Sequence, residues 1–224
     1  MAPPFSWCSS TIRMLAGISS LPKTHMPTSI PRSQLPSTIS VNVSTSGPTY
    51  PTHALAVSAS KSPSGNEHLM IFPVHSLVLA SHCATLPRLP NAIPGGPTTV
   101  NMPVLPLSLP SPAAFSILHQ FMYHHRLDAV LQALFPLPSA FLHNLSHQTV
   151  QSTLASGTML HQLSTYLCTS ASSNLTTLTQ HAAHVKELWQ DMVALGLYDP
   201  ELWDTVDLAW EVVLGAMNLA AAQR

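Results

Sequence analysis

Apolar and polar positions change rhythm several times along the chain. Up to residue 52 they follow no period: Ser, Thr and Pro dominate, with eight prolines and no Asp or Glu. The stretch His53–Ser60 then carries Leu55 and Val57 in alternation, a turn cluster follows at 61–66, and His68–Val74 is a second apolar run. Two such runs about a turn predict a β-hairpin, and Pro73 suits a strand that stops there. Leu77, Val78, Leu79 and Leu86 fall in a short helical window over 75–86, which Pro87 and Pro90 close. Four prolines and Gly95-Gly96 predict an exposed loop over 87–98. Residues 99–107 look extended but hold Pro103 and Pro106, so an edge strand is expected.

From residue 111 onward the period becomes helical. Ser111-Pro112 is an N-cap followed by proline in the first turn. Phe115, Leu118 and Phe121 or Met122 then define one buried face. Leu127–Leu134 is a further helix, stopped before Pro136. Apolar residues continue at helical spacing from Ser139 to about Ser170, divided at Gly157. Val185, Leu188, Trp189, Met192 and Leu195 form the next stripe, ending at Gly196. Asp199-Pro200-Glu201 opens the last helix, with Leu202, Val206, Trp210, Val213 and Met217 on one face. The short link predicts an antiparallel helical pair.

These patterns predict an α+β protein in three parts: a disordered Ser/Thr/Pro-rich leader over 1–52, a core over 53–134 with a small sheet covered by helices, and a helical region over 135–224. Proline blocks helix interiors and sheet ladders, and the leader has few large apolar residues to offset ordering entropy.

Charge narrows the functional classes. Only 8% of residues are charged, eight Lys and Arg against nine Asp and Glu. Binding nucleic acid by charge needs clustered cations, so direct nucleic-acid contact is not expected. Seven of the nine acids lie in 187–211, where a solvated helical face explains them. Protonating the thirteen histidines would carry a chain of net charge −1 far into the positive, so acid should change its solubility. Cys8, Cys83 and Cys168 form no CxxC pair, which favours a reducing compartment. No apolar run reaches the ~18 residues of a membrane span, and residues 1–20 lack a secretory signal's pattern.

Candidate chemistry is sparse. No GxSxG or phosphate-binding glycine loop occurs, and Cys83 beside His82 is a sequence neighbour without an orienting group. His143 with His147, and His181 with His184, could each share a helical face, but third and fourth ligands are missing. The sequence nominates no cofactor, no metal site and no catalytic residue. What remains is apolar. Trp189, Trp203 and Trp210 lie in the last two helices, and the adjacent Leu202 and Trp203 cannot point to one centre. Trp203, with Leu202 and Trp210, is therefore the candidate protein-binding surface. A chain with few charges also has little built in against association.

The stretch Phe72-Pro-Val-His75-Ser-Leu-Val-Leu-Ala-Ser81, followed by Ser111-Pro-Ala-Ala-Phe115-Ser-Ile-Leu118-His-Gln-Phe-Met-Tyr123, resembles a BTB/POZ domain over about 53–134. That family has a histidine at a strand–helix junction and a later helix ending in tyrosine. The aromatic expected near Ala84–Leu86 is absent, and His124-His125 replaces the usual Thr-Gly. Across Phe72–Pro90 and Met102–Pro138 the chain also resembles the clampless-type sexual-development proteins of basidiomycete fungi. That resemblance implies a non-enzymatic nuclear or cytoplasmic regulator downstream of the mating-type factors. Its implied partners are homeodomain or other transcription factors. Apart from that resemblance, a homodimer is a further expected partner, and no membrane contact is expected. His75 would then be structural. Two alternatives carry different expectations: a BTB-type adaptor touching a cullin through the helices after residue 111, and a metal-dependent hydrolase built on the histidine pairs.

Overall fold

The computed structural model describes residues 28–42, 50–60, 68–91, 93–96 and 98–223. The turn cluster at 61–66 and most of the leader lie outside them. The chain divides into two compact units: residues 1–124 with Ala194–Leu197, and residues 125–193 with 198–224.

The first unit is built on a six-stranded sheet: β1 (Ser29–Pro31), β2 (Thr38–Asn42), β3 (His53–Ala59), β4 (His68–Val74), β5 (Ile93–Gly96) and β6 (Thr99–Leu109). Its order is β1-β4-β3-β6-β2, with β5 also on β6. The predicted hairpin is β3–β4, antiparallel with Leu55 opposite Phe72. β6 returns parallel to β3, placing Leu105 beside Leu55. Ile30 and Ile39, from opposite ends of the strand order, reach one cluster with Val41, Ala54, Ala56, Leu69, Ile71, Met102 and Val104, so the sheet is curled.

Four expectations for this unit need correction. Two strands, β1 and β2, lie inside the stretch read as a disordered leader. They are short, and Ile39 and Val41 are buried, and Ile30 partly buried, by long-range pairing, which local composition does not report. The loop over 87–98 contains β5, although its residues are exposed as expected. The proline-bearing strand β6, expected at an edge, lies between β3 and β2 in the strand order, although Pro106 is exposed in the half that pairs with β3. It changes partner midway: Thr99–Pro103 pair with β2, and Val104–Leu109 pair with β3. Pro103 thus falls at the end of one ladder, where its missing N–H costs least. The alternation read in β3 is also absent, since His53 to Ser58 are all buried; a strand covered on both faces loses its period.

Helices α1 (Ser76–His82) and α2 (Pro112–His124) complete this unit. The Ser111 hydroxyl accepts from the Ala114 N–H, as the capping signal predicts. Phe115, Leu118, Phe121 and Met122 are buried. Ala84 and Thr85 donate their N–H groups to the carbonyls of Gly196 and Leu195. Gly196 has φ +60°, the left-handed conformation glycine adopts at lowest cost.

The second unit contains α3 (Leu127–Leu134), α4 (Ser139–His143), α5 (His147–Leu154), α6 (Gly157–Ser170), α7 (Leu175–Leu195, up to Val193) and α8 (Pro200–Ala222). Gly157 opens α6, and Ser156 and Ser146 cap the two helices around that break. Asp199 caps α8 by accepting from Leu202 N–H. α8 packs on α6, α5 and α3. Gly215 permits the close α6 crossing: a Cβ there would come within 2.9 Å of Ser164 Cβ. By length and composition α8 could cross a membrane, but its apolar face is the one that Leu202, Val206, Ala209, Val213 and Ala216 bury.

Candidate protein-interaction surface

Each unit concentrates its aromatic side chains differently. In the first, α2 carries Phe115, His119 and Tyr123 at four-residue steps, one above the other. Phe72 of β4 meets Phe115 edge-on, with centroids 4.9 Å apart, and His119 lies 5.1 Å from the Tyr123 ring. His119 Nε2–H donates to the Pro73 carbonyl at 3.0 Å. Burial, ahead of its other causes, holds His119 below the ordinary histidine range.

The column ends at the strand–helix junction. Tyr123 Oη accepts from the His75 backbone N–H at 2.9 Å and lies 2.9 Å from His75 Nδ1. A hydroxyl has one proton, so the arrangement that satisfies both contacts has Tyr123 donating to Nδ1. His75 is buried and its pKa is lowered by that burial. His75 provides no side-chain cap for α1. Instead Thr52 Oγ1 accepts from Ser76 N–H at 2.8 Å. His53 Nε2 faces the Pro90 carbonyl at 2.8 Å and so carries the proton, leaving Nδ1 to accept from Thr52 at 2.8 Å. These imidazoles bracket separate backbone segments, and burial lowers the pKa of His75 and His119. The spacing 115/119/123 was visible in sequence; the partners on β4 were not.

In the second unit Trp189, Tyr198 and Trp210 turn outward, while Phe135 is buried beside His181. A groove of about 340 Å³ lies between α7 and α8. Val185 and Val206 form its floor, Trp189 and Trp210 its walls, and Lys186 and Asp207 its rims. Trp189 is 46% exposed and Trp210 38% exposed, enough to offer ring faces to a partner. Of the predicted surface, Leu202 is fully buried and offers none, Trp203 is half-buried, and only Trp210 lines the groove. Trp189 was expected on the buried stripe. The adjacency argument used for Leu202 and Trp203 would have found it, because Leu188 beside it is fully buried.

Of the α8 acids Asp207 borders this groove, while Glu201 and Asp204 face His147 of α5. Glu201, Asp204, Asp207 and Glu211 lie along one side of α8, next to Trp210. Asp204 accepts from His147 Nε2 at 2.7 Å and from Gln151 Nε2 at 3.0 Å, and these bonds, His147 first, hold its carboxyl low. Asp207 is pushed up, first by desolvation and then by the Asp204 charge.

Of the pairs considered for metal or nucleophilic chemistry, His181 and His184 lie on α7 and line one pocket with Leu134 and Phe135, without a third ligand among the described residues. His143 ends α4 and His147 begins α5, so they are not on one helix. His181 Nδ1–H donates to the Leu134 carbonyl at 3.1 Å. Among the described residues no three His, Cys, Asp or Glu side chains converge. Burial raises the Cys83 thiol to about 12, so it is no thiolate at neutral pH.

Comparison with known proteins places this architecture. Residues 7–110 match the model for the Clampless protein 1 N-terminal domain, and residues 128–224 match the Clampless protein 1 C-terminal domain. The two domain models are thus matched in order over most of the chain, and the chain belongs to the clampless family. Clampless protein 1 from two strains of Cryptococcus neoformans var. neoformans serotype D is 30% identical over 135 residues, covering 59% of this chain and 24% of each relative. The match therefore spans about a quarter of those relatives' length. No solved structure matches the chain.

Proposed function

We propose that this chain is a non-enzymatic regulator of fungal sexual development, in the pathway leading to clamp formation, and that it works by binding other proteins in the nucleus or cytoplasm. The observation that carries the reading is the ordered match of both clampless domains. Two half-exposed tryptophans on a groove support binding as the mode of action, with homeodomain or other transcription factors as the partner class. Deleting the gene in a clamp-forming strain should abolish clamp cells, and this chain should restore them. A deletion strain that forms clamps normally overturns the reading.

A finer reading gives the first unit a BTB/POZ-like fold. It is supported by the order of parts: the hairpin β3–β4, His75 at the junction with α1, the parallel return of β6, and Tyr123 near the end of α2. His125, where the pattern has glycine, adopts φ +49°, the left-handed region that glycine favours. On this reading an adaptor role would show as cullin in a pulldown from fungal extract; its absence there removes that role.

A further inference from the structure

We infer that the groove between α7 and α8 takes a basic amphipathic helix of a partner protein, with its apolar side chains seated between Trp189 and Trp210 and its Lys or Arg side chains set against Asp207 and Glu211. This deepens the proposal above and rests on its premise that the chain acts by binding proteins. Three observations select the occupant. First, the floor and walls are apolar, from Val185, Val206, Trp189 and Trp210, and Val193, 51% exposed, extends the strip one turn along α7 from Trp189. A cleft between two helices accepts side chains spaced at three and four residues, the face of a third helix. Second, charge in the chain is unevenly divided. The second unit holds three Lys and Arg, Arg126, Lys186 and Arg224, against eight acids; the first holds five against Glu67 alone. The field over the groove is therefore negative and attracts cations while repelling nucleic acid and anionic lipid surfaces. Third, that charge is local as well: Asp207 forms the α8 rim and Glu211 is exposed one turn on. Burial and then the Asp204 charge raise the Asp207 carboxyl, and a cation beside it would offset the second of these. Lys186 stands on the opposite rim, so the partner's cations are directed to the α8 side.

The test uses the whole purified chain and three fluorescent helical peptides: one of Leu and Lys, one of Leu and Glu, one of Ser and Lys. The Leu/Lys peptide should bind at least about tenfold more tightly than either other, because both anchors and charge are needed. Its affinity should fall as salt is raised. Trp189→Ser with Trp210→Ser should lose it, and Asp207→Lys should reverse the preference toward Leu/Glu while leaving the groove walls intact. Circular dichroism of each variant reports that it folds. Equal binding of Leu/Glu, equal binding of Ser/Lys, or indifference to the tryptophan substitutions overturns the assignment. So does a concentration-dependent dimer that the tryptophan substitutions dissolve, since a second copy would then fill the groove. A chain that restores clamp cells yet ignores the Leu/Lys peptide fails this inference alone; a deletion strain with normal clamps fails the function.

Discussion

The two units use aromatic side chains in opposite ways. In the first, Phe72, Phe115, His119 and Tyr123 stack inward, and imidazoles tie backbone segments together. In the second, Trp189, Tyr198 and Trp210 turn outward, while aliphatic residues and a single buried ring among the described residues, Phe135, fill the interior. The difference follows from what each unit must solve. Strands drawn from distant parts of the chain need a column that joins helix to sheet and satisfies the buried N–H of His75 at the junction. Helices satisfy their own backbone and can close their core with Leu, Val and Ala, which leaves large rings for the surface.

The most severe way to break this contrast is Phe115→Ala. Phe115 is fully buried at the base of the column, and its removal should cost about 3–5 kcal/mol, read by urea denaturation; a loss under about 1 kcal/mol would show that the column is peripheral. Tyr123→Phe keeps the ring and deletes the hydroxyl shared by the His75 N–H and Nδ1. It should cost about 1–3 kcal/mol by stranding a buried donor. His75→Ala should also lower the thermal midpoint, and an unchanged midpoint with unchanged solubility would remove the structural role of that histidine.

Acid sharpens the comparison further, because the two units should lose stability in different windows. His75 and His119 have folded values below the ordinary 6.5, by burial. The unfolded chain takes up protons first, so this contribution is fully present above that value and is lost as pH falls below it. In the second unit, bonds from Arg126 and His147 hold Asp128 and Asp204 below the ordinary 3.8. Their contribution is present above that value and is lost only as pH falls beneath it. Thermal midpoints at pH 7.5 and 5.5 should therefore converge in His119→Phe relative to the parent chain; parallel shifts would contradict the assignment. The smallest effect on stability is expected from Trp210→Ser, which should stay within about 0.5 kcal/mol because that ring is substantially exposed. A larger loss would place Trp210 in the core and erase the contrast.

Much of the local architecture was legible in the residues. Proline and capping signals located the starts of α2 and α8 at Ser111 and Asp199, and Gly157 and Gly196 marked helix boundaries. The hairpin β3–β4 followed from two apolar runs about a turn. The candidate surface was legible only in part: Trp210 was named, Leu202 proved to be core, and Trp189 was assigned to the wrong face of its helix. A stripe of 3.6-residue period is wide enough to include a residue at its margin, and only the packing of neighbours decides on which side of that margin the side chain falls.

Sequence by itself determined most of the helical stretches, the capped starts of α2 and α8, the hairpin and the uneven division of charge, because capping, turn chemistry and ionisation are local properties; the end of α1 at His82 and the break between α4 and α5 were not read from it. Tertiary structure alone decided that Ser29–Pro31 and Thr38–Asn42 become strands, that β6 lies between β3 and β2 with its prolines, that Tyr123 meets His75, and that two tryptophans flank one groove. Each of these depends on residues far apart in the chain being brought within contact distance, and the free energy that selects such pairings belongs to the assembled core rather than to any stretch of sequence.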